Sequence, residues 1–236
     1  MSRLRLDVSL PLRQPLRRHL APLAVVAGLA ACASGPPVPD WQANAKSAID
    51  QATTAYLAGD NAAEARAFEQ ARAQLSRTGR PDLLARAELM RCAARVASLV
   101  FEPCAGFERL RNDAAPAERT YAEHLASRAL PRDAIERLPV AQQGAANAIA
   151  AGRAPDAPLK GIADPLSRLI AAAVLFQAGQ ASPATIAEAA ELASAQGWRR
   201  PLLAWLEVQA QLAEHGNALD EAQRLRRRMA LVRGER

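Results

Sequence analysis

Thiols and imidazoles are scarce in this chain, and their positions limit its chemistry. Cys32, Cys92 and Cys104 are its cysteines, and His19, His124 and His215 its histidines. A zinc site needs three or four convergent ligands. His124 and His215 fall on separate helical stretches without ligand-like neighbours, so no metal site is expected. Glycine-rich phosphate loops, a nucleophile elbow and a zinc-protease helix are missing from the sequence. A lone catalytic glutamate would leave no such signature, and Glu102 and Glu118 are the candidates for one. No catalytic residue is assigned on this basis.

Two other groups of residues carry chemistry suited to binding. The run Arg224-Leu225-Arg226-Arg227-Arg228 would suit an anionic surface, but Asp220 and Glu221 lie close by and favour an ordinary solvated face. Aromatic residues make up only 4 % of the chain, so each large one stands out. Tyr56, Phe68, Trp198 and Trp205 are the candidates for gripping a partner, with burial in the core as the competing reading.

The amino-terminal stretch has a different logic. Arg3, Arg5, Arg13, Arg17 and Arg18 face a single Asp7, and an apolar run from Ala21 to Ala31 follows. Positive charge, a short apolar core and small residues at its end make a secretory signal. The run is too short to span a membrane, which takes roughly 20 residues. It closes on Leu29-Ala30-Ala31-Cys32, which resembles the lipobox of bacterial lipoproteins. The resemblance implies cleavage before Cys32, with diacylglycerol on its thiol and an acyl chain on its new amino terminus. More than one acyl chain anchors a protein stably. Ala33 replaces the aspartate of the inner-membrane retention signal, so the resemblance implies the periplasmic face of the outer membrane. The competing reading is a soluble periplasmic protein cut after Ala31.

Much of the chain's positive charge sits in residues 1–31. Five of the 30 basic residues and one of the 24 acids lie there, so the remainder carries +2 against +6 for the whole chain. A basic nucleic-acid-binding surface is therefore not expected. Apolar residues reach 50 %, and alanine supplies the surplus. Alanine is the strongest helix former and a poor strand former. An all-α domain is expected over 41–236, after a proline-rich tether at 32–40, with halves at 41–151 and 161–236.

Apolar spacings of three and four place the helices. The first begins at Asp40 as N-cap and carries Trp41, Ala45, Ala48, Ile49, Ala52, Ala55 and Tyr56 on one stripe. Gly59-Asp60-Asn61 turns the chain. The second helix points Ala65, Phe68, Ala71 and Leu75 inward, with Glu64, Arg66, Glu69 and Arg72 outward. The third, over 82–100, has a wide apolar arc including Met90, as a helix sandwiched between neighbours would. Prolines break the middle of the chain, leaving helical pieces at 117–130 and 140–151 and a joint from Gly152 to Gly161. Four more helices follow at 163–178, 183–196, 201–214 and 218–232.

Tyr56-Leu57-Ala58-Gly59-Asp60 with Phe68 and Ala71 resembles the join between the two helices of a tetratricopeptide repeat, although Glu64 stands where that family places a small residue. Gly59 and Pro81 recur as Gly179 and Pro201, each 120 positions on. The resemblance implies antiparallel hairpins stacked as a right-handed, TPR-like array, whose concave face would hold another protein.

An exported domain meets an oxidising compartment, where disulfides persist. Cys92 falls within a helix and Cys104 in the Glu102–Gly106 turn after it, so a reversal at Pro103 would lay them together. A disulfide is favoured over two buried free thiols. The functional expectation is a lipid-anchored adaptor in cell-envelope assembly, with envelope proteins as partners, membrane lipid reached through the anchor, and no cofactor beyond the covalent lipid. The alternatives are an enzyme or binder acting on peptidoglycan, using a glutamate such as Glu102 or Glu118, and a purely structural lipoprotein.

Overall fold

The computed structural model describes residues 39–152 and 159–235. The signal segment, Cys32 and most of the tether lie outside the described residues, as does much of the Gly152–Gly161 joint. The described residues form eleven helices and no strand, an all-α domain. In chain order these are α1 (Asp40–Ala58), α2 (Asn61–Ser76), α3 (Pro81–Ala97), α4 (Ala105–Glu108), α5 (Pro116–Leu125), α6 (Arg132–Ile135), α7 (Val140–Ala150), α8 (Pro165–Gln177), α9 (Pro183–Ala195), α10 (Arg199–His215) and α11 (Leu219–Arg233).

Helix boundaries follow local signals. Asp60, Asp164 and Ser182 accept hydrogen bonds from the backbone N–H three residues on, at 2.9, 2.7 and 3.1 Å. Each satisfies an N–H that a helix start leaves without an intrahelical partner. Proline occupies the first turn of α3, α5, α8 and α9, where it lacks nothing the helix needs. Gly59 closes α1 with φ of 90°, a left-handed conformation that side chains resist. Asp40 is the first residue of α1 and not its cap; Pro39 holds that place without a side-chain bond. The proline-rich middle also contains two one-turn helices, α4 and α6, too short for periodicity to mark.

The core is built from alanine at the close approaches and large aliphatics between them. Helix α8 is buried at every position from Leu169 to Leu175, so it runs through the centre. Helix α3 lies against it and buries Ala85, Leu89, Ala93, Val96 and Ala97. Met90, expected inside, is on the surface.

Two hairpins, α1–α2 and α10–α11, flank this centre, and α9 packs on α10. Helix α1 also packs on α10, and α3 on α8. A linear repeat stack confines contacts to neighbouring repeats. Here the two halves of the chain meet across more than 100 residues, and Trp205 Nε1 of α10 donates to the Ala97 oxygen of α3 at 3.2 Å.

Candidate functional site

Helix α3 has one face turned away from the core, and that face is charged. Glu88, Arg91 and Arg95 follow at spacings of three and four, beside Cys92. Helix α2 runs antiparallel alongside and supplies Glu69 and Arg72. The chain beyond α3 turns at Leu99, whose φ of 59° is rare for a branched side chain. It then doubles back through Glu102, Pro103 and Cys104 into α4. Helix α2 and this returning segment are the two walls of an open cleft of about 470 Å³, with α3 as its floor. That size falls in the range of ligand clefts, roughly 300–1,000 Å³.

Cys92 and Cys104 stand at disulfide distance at the base of the cleft, with 5.8 Å between their Cα atoms. The pairing expected from the reversal at Pro103 is therefore geometrically met. A second hollow, of about 220 Å³, lies behind the loop and shares Glu102, Pro103 and both cysteines with the first. The loop is thus a partition between two cavities, and the cysteine pair ties it to α3.

Ion pairs hold the other wall. Arg91 Nε and Nη2 donate to the two oxygens of Glu64 at 2.5 and 2.9 Å. This two-pronged geometry fits guanidinium to carboxylate, and Glu64 holds Arg91 above the ordinary arginine range. The same guanidinium lies 4.5 Å from the centre of the Phe68 ring. Arg72 pairs with Glu88, and Glu88 presses on Gly106 so closely that a β-carbon there would collide with its carboxylate. Glu64 and Glu88 are 5 % and 6 % exposed, so these pairs are largely desolvated on the acidic side.

The sequence pattern of α2 predicts Glu64 outward and Ala65 inward; the structure reverses them. The inward stripe is Glu64, Ala67, Phe68, Ala71 and Leu75. Spacings of four, three and four lead back from Leu75 through Ala71 and Phe68 to Glu64, so periodicity does point to it. Its charge argues against burial unless a partner is at hand, and Arg91 is that partner.

The aromatic candidates are not cleft residues. Phe68 and Trp205 are inside the protein at 2 % and 0 % exposure, and Tyr56 is buried against Leu57 and Ala94. Trp198 is half-buried and packs on the same core. In this conformation they hold helices together and offer little surface to a partner. Trp205 meets Phe176 edge-on at 5.6 Å, which stabilises the core beyond simple burial.

The remaining candidates are dispersed. Glu102 lines the cleft and lies 3.8 Å from Arg95, while Glu118 is buried and accepts from Arg86 at 2.8 and 2.5 Å. His124 is buried, with Nε2 3.1 Å from Gln142 Oε1; His215 is exposed at the end of α10. Arg224, Arg226 and Arg228 pair with Glu221, Glu214 and Glu191, so most of the basic run is neutralised. Among the described residues there is no metal-binding group of histidine, cysteine or carboxylate side chains, and no helix long and apolar enough to cross a membrane.

No family model, curated protein or solved structure matches this chain.

The charged cleft therefore stands on its own geometry. It offers guanidinium donors in excess over carboxylates: Arg72, Arg91, Arg95 and Arg109 against Glu69, Glu88 and Glu102.

Proposed function

We propose that this protein is an outer-membrane lipoprotein of the periplasmic face, anchored by fatty acid on Cys32, whose helical domain is an adaptor for other envelope proteins. The cleft between α2, α3 and the Cys92–Cys104 loop carries this reading, because it is open, ligand-sized and built on rigid helices. The signal and the Leu29-Ala30-Ala31-Cys32 ending support the anchor. A cysteine pair at disulfide distance suits an exported domain. The helix triplets α1–α3 and α8–α10 are degenerate TPR-like units in this reading. Gly59 and Gly179 both adopt left-handed φ at their first turns, and Pro81 and Pro201 both lie in the first turn of the third helix.

The anchor is tested by labelling cells with radioactive palmitate: wild type should incorporate label and Cys32→Ser should not. Adaptor function is tested in intact envelopes, by placing a photo-crosslinking amino acid at exposed Ala105 on the cleft rim. Discrete protein adducts are expected from Ala105 and not from exposed Val140. Equal adducts at both positions, or none, count against it.

A second reading, a binder of or enzyme on peptidoglycan, draws on the carboxylates in the same cleft. Retention on purified sacculi, with release of soluble fragments, would favour it.

A further inference from the structure

The guanidinium groups of the cleft are not equivalent. Arg72 and Arg91 are committed to the buried carboxylates of Glu88 and Glu64, on the α2 side. Arg95 and Arg109 line the same cleft without a hydrogen-bonded acceptor among the described residues. The nearest acid to Arg95 is Glu102, at 3.8 Å, beyond hydrogen-bond length, and its side chain is 72 % exposed. Arg95 also lies 5.7 Å from the Tyr56 ring centre, a contact that constrains where its fork can point.

We propose that Arg95 and Arg109 form a carboxylate-binding site, which takes an acidic side chain or terminal carboxylate of a peptide segment laid in the cleft. This rests on the adaptor reading and names the chemistry of the partner. Arginine is the side chain best matched to a carboxylate, through paired donors in one plane. Glu102 is an internal competitor: an exposed acid beside Arg95 that an incoming carboxylate displaces. The cysteine pair ties the loop leading into α4 and Arg109 to α3, the helix that carries Arg95, so the two arginines belong to backbone segments joined at the base of the cleft.

The competitor makes the test two-signed. Fluorescein-labelled hexaglutamate is titrated with the full-length chain in detergent at low and physiological salt, read by fluorescence anisotropy, with hexaglutamine as the neutral control. The double variant R95A/R109A should weaken hexaglutamate binding about tenfold or more. Glu102→Ala should tighten it a few-fold, an outcome that mere loss of structure does not produce. R224A/R227A, on α11, should leave it unchanged once the overall charge is matched at physiological salt. Equal loss in both arginine pairs, equal binding of hexaglutamine, or no tightening in Glu102→Ala would overturn the site. Retention on sacculi that depends on Arg95 and Arg109, without peptide binding, would overturn it in favour of a cell-wall ligand. If hexaglutamate fails while Ala105 still crosslinks to protein, the ligand class falls and the adaptor stands.

Discussion

Arg200 donates from Nε to the main-chain oxygen of Tyr56 at 2.7 Å and lays its guanidinium 4.2 Å from the centre of the Tyr56 ring, across 144 residues of sequence. The contact joins the last turn of α1 to the first turn of α10, and the same guanidinium reaches Asn61 at the start of α2. A cation at a helix carboxyl end is favoured by the exposed carbonyls there. Burial pushes the Tyr56 hydroxyl up in pKa, with Arg200 and Arg95 opposing that rise.

Arg200→Ala should therefore cost about 1–3 kcal/mol, because it removes a charged hydrogen bond and a cation–π interaction in one step. Arg200→Lys keeps the charge but not the planar fork, so its cost should fall between wild type and alanine. Urea denaturation checks both. A midpoint for Arg200→Ala no lower than that for Arg227→Ala, an exposed arginine on α11, would show that this residue does not close the fold.

Gly106 leaves room for the Glu88 carboxylate that faces it. Alanine there would drive its β-carbon into the Glu88 carboxylate and push Glu88 off Arg72. The carboxylate ends a flexible side chain and can move aside, so the cost is that of displacing its pairing with Arg72, about 1–3 kcal/mol. Combining Gly106→Ala with Glu88→Ala removes the collision, so the two losses should not add, and the coupling should appear in a double-mutant cycle. Strict additivity would mean that the glycine and the glutamate do not meet.

The cysteine pair ties a 12-residue separation, and a crosslink of that span stabilises by about 3 kcal/mol where the native geometry accepts it. Non-reducing peptide mapping should recover the peptides of Cys92 and Cys104 joined. Reduction should lower the melting temperature by roughly 6–12 °C for a domain of this size. Free thiols at both positions would rule out the bond and, with it, the covalent tie between α3 and the loop leading to Arg109.

Most long helices are legible in the sequence because alanine, leucine and cap residues signal them locally. The four helices of the second half lie within about two residues of their expected bounds. The halves' mutual packing is not legible, because periodicity reports which face of α1 or α3 is buried and not against what. The cleft is hidden for a related reason. Glu64 reads as a surface residue until a second helix brings Arg91 opposite it. Among the aromatic candidates, Phe68 and Trp205 follow the competing reading, burial in the core. In a chain short of large side chains, Phe68 and Trp205 fill the gaps that alanine leaves.

His124 makes stability depend on pH. The amide of Gln142 donates to the Ser167 oxygen at 2.9 Å, which turns its own oxygen toward His124 Nε2. Nε2 therefore carries the proton, and Nδ1 is buried without a partner. Burial lowers the imidazole from 6.5 to about 4, with the Gln142 contact opposing that fall only in part. The unfolded chain takes up a proton below its ordinary pKa, while the folded chain resists until about pH 4. The stabilising contribution is thus complete above about pH 6.5 and is lost as pH falls through the folded value. Its upper size is about 3 kcal/mol. Carboxylates titrate near the lower end of this window, so the readout is the difference between wild type and His124→Gln. That variant keeps a donor for Gln142 and cannot be protonated. Its stability, measured by urea denaturation from pH 7 to pH 4, should decline less steeply than that of wild type. Parallel curves would show that His124 charges as readily inside the protein as outside it.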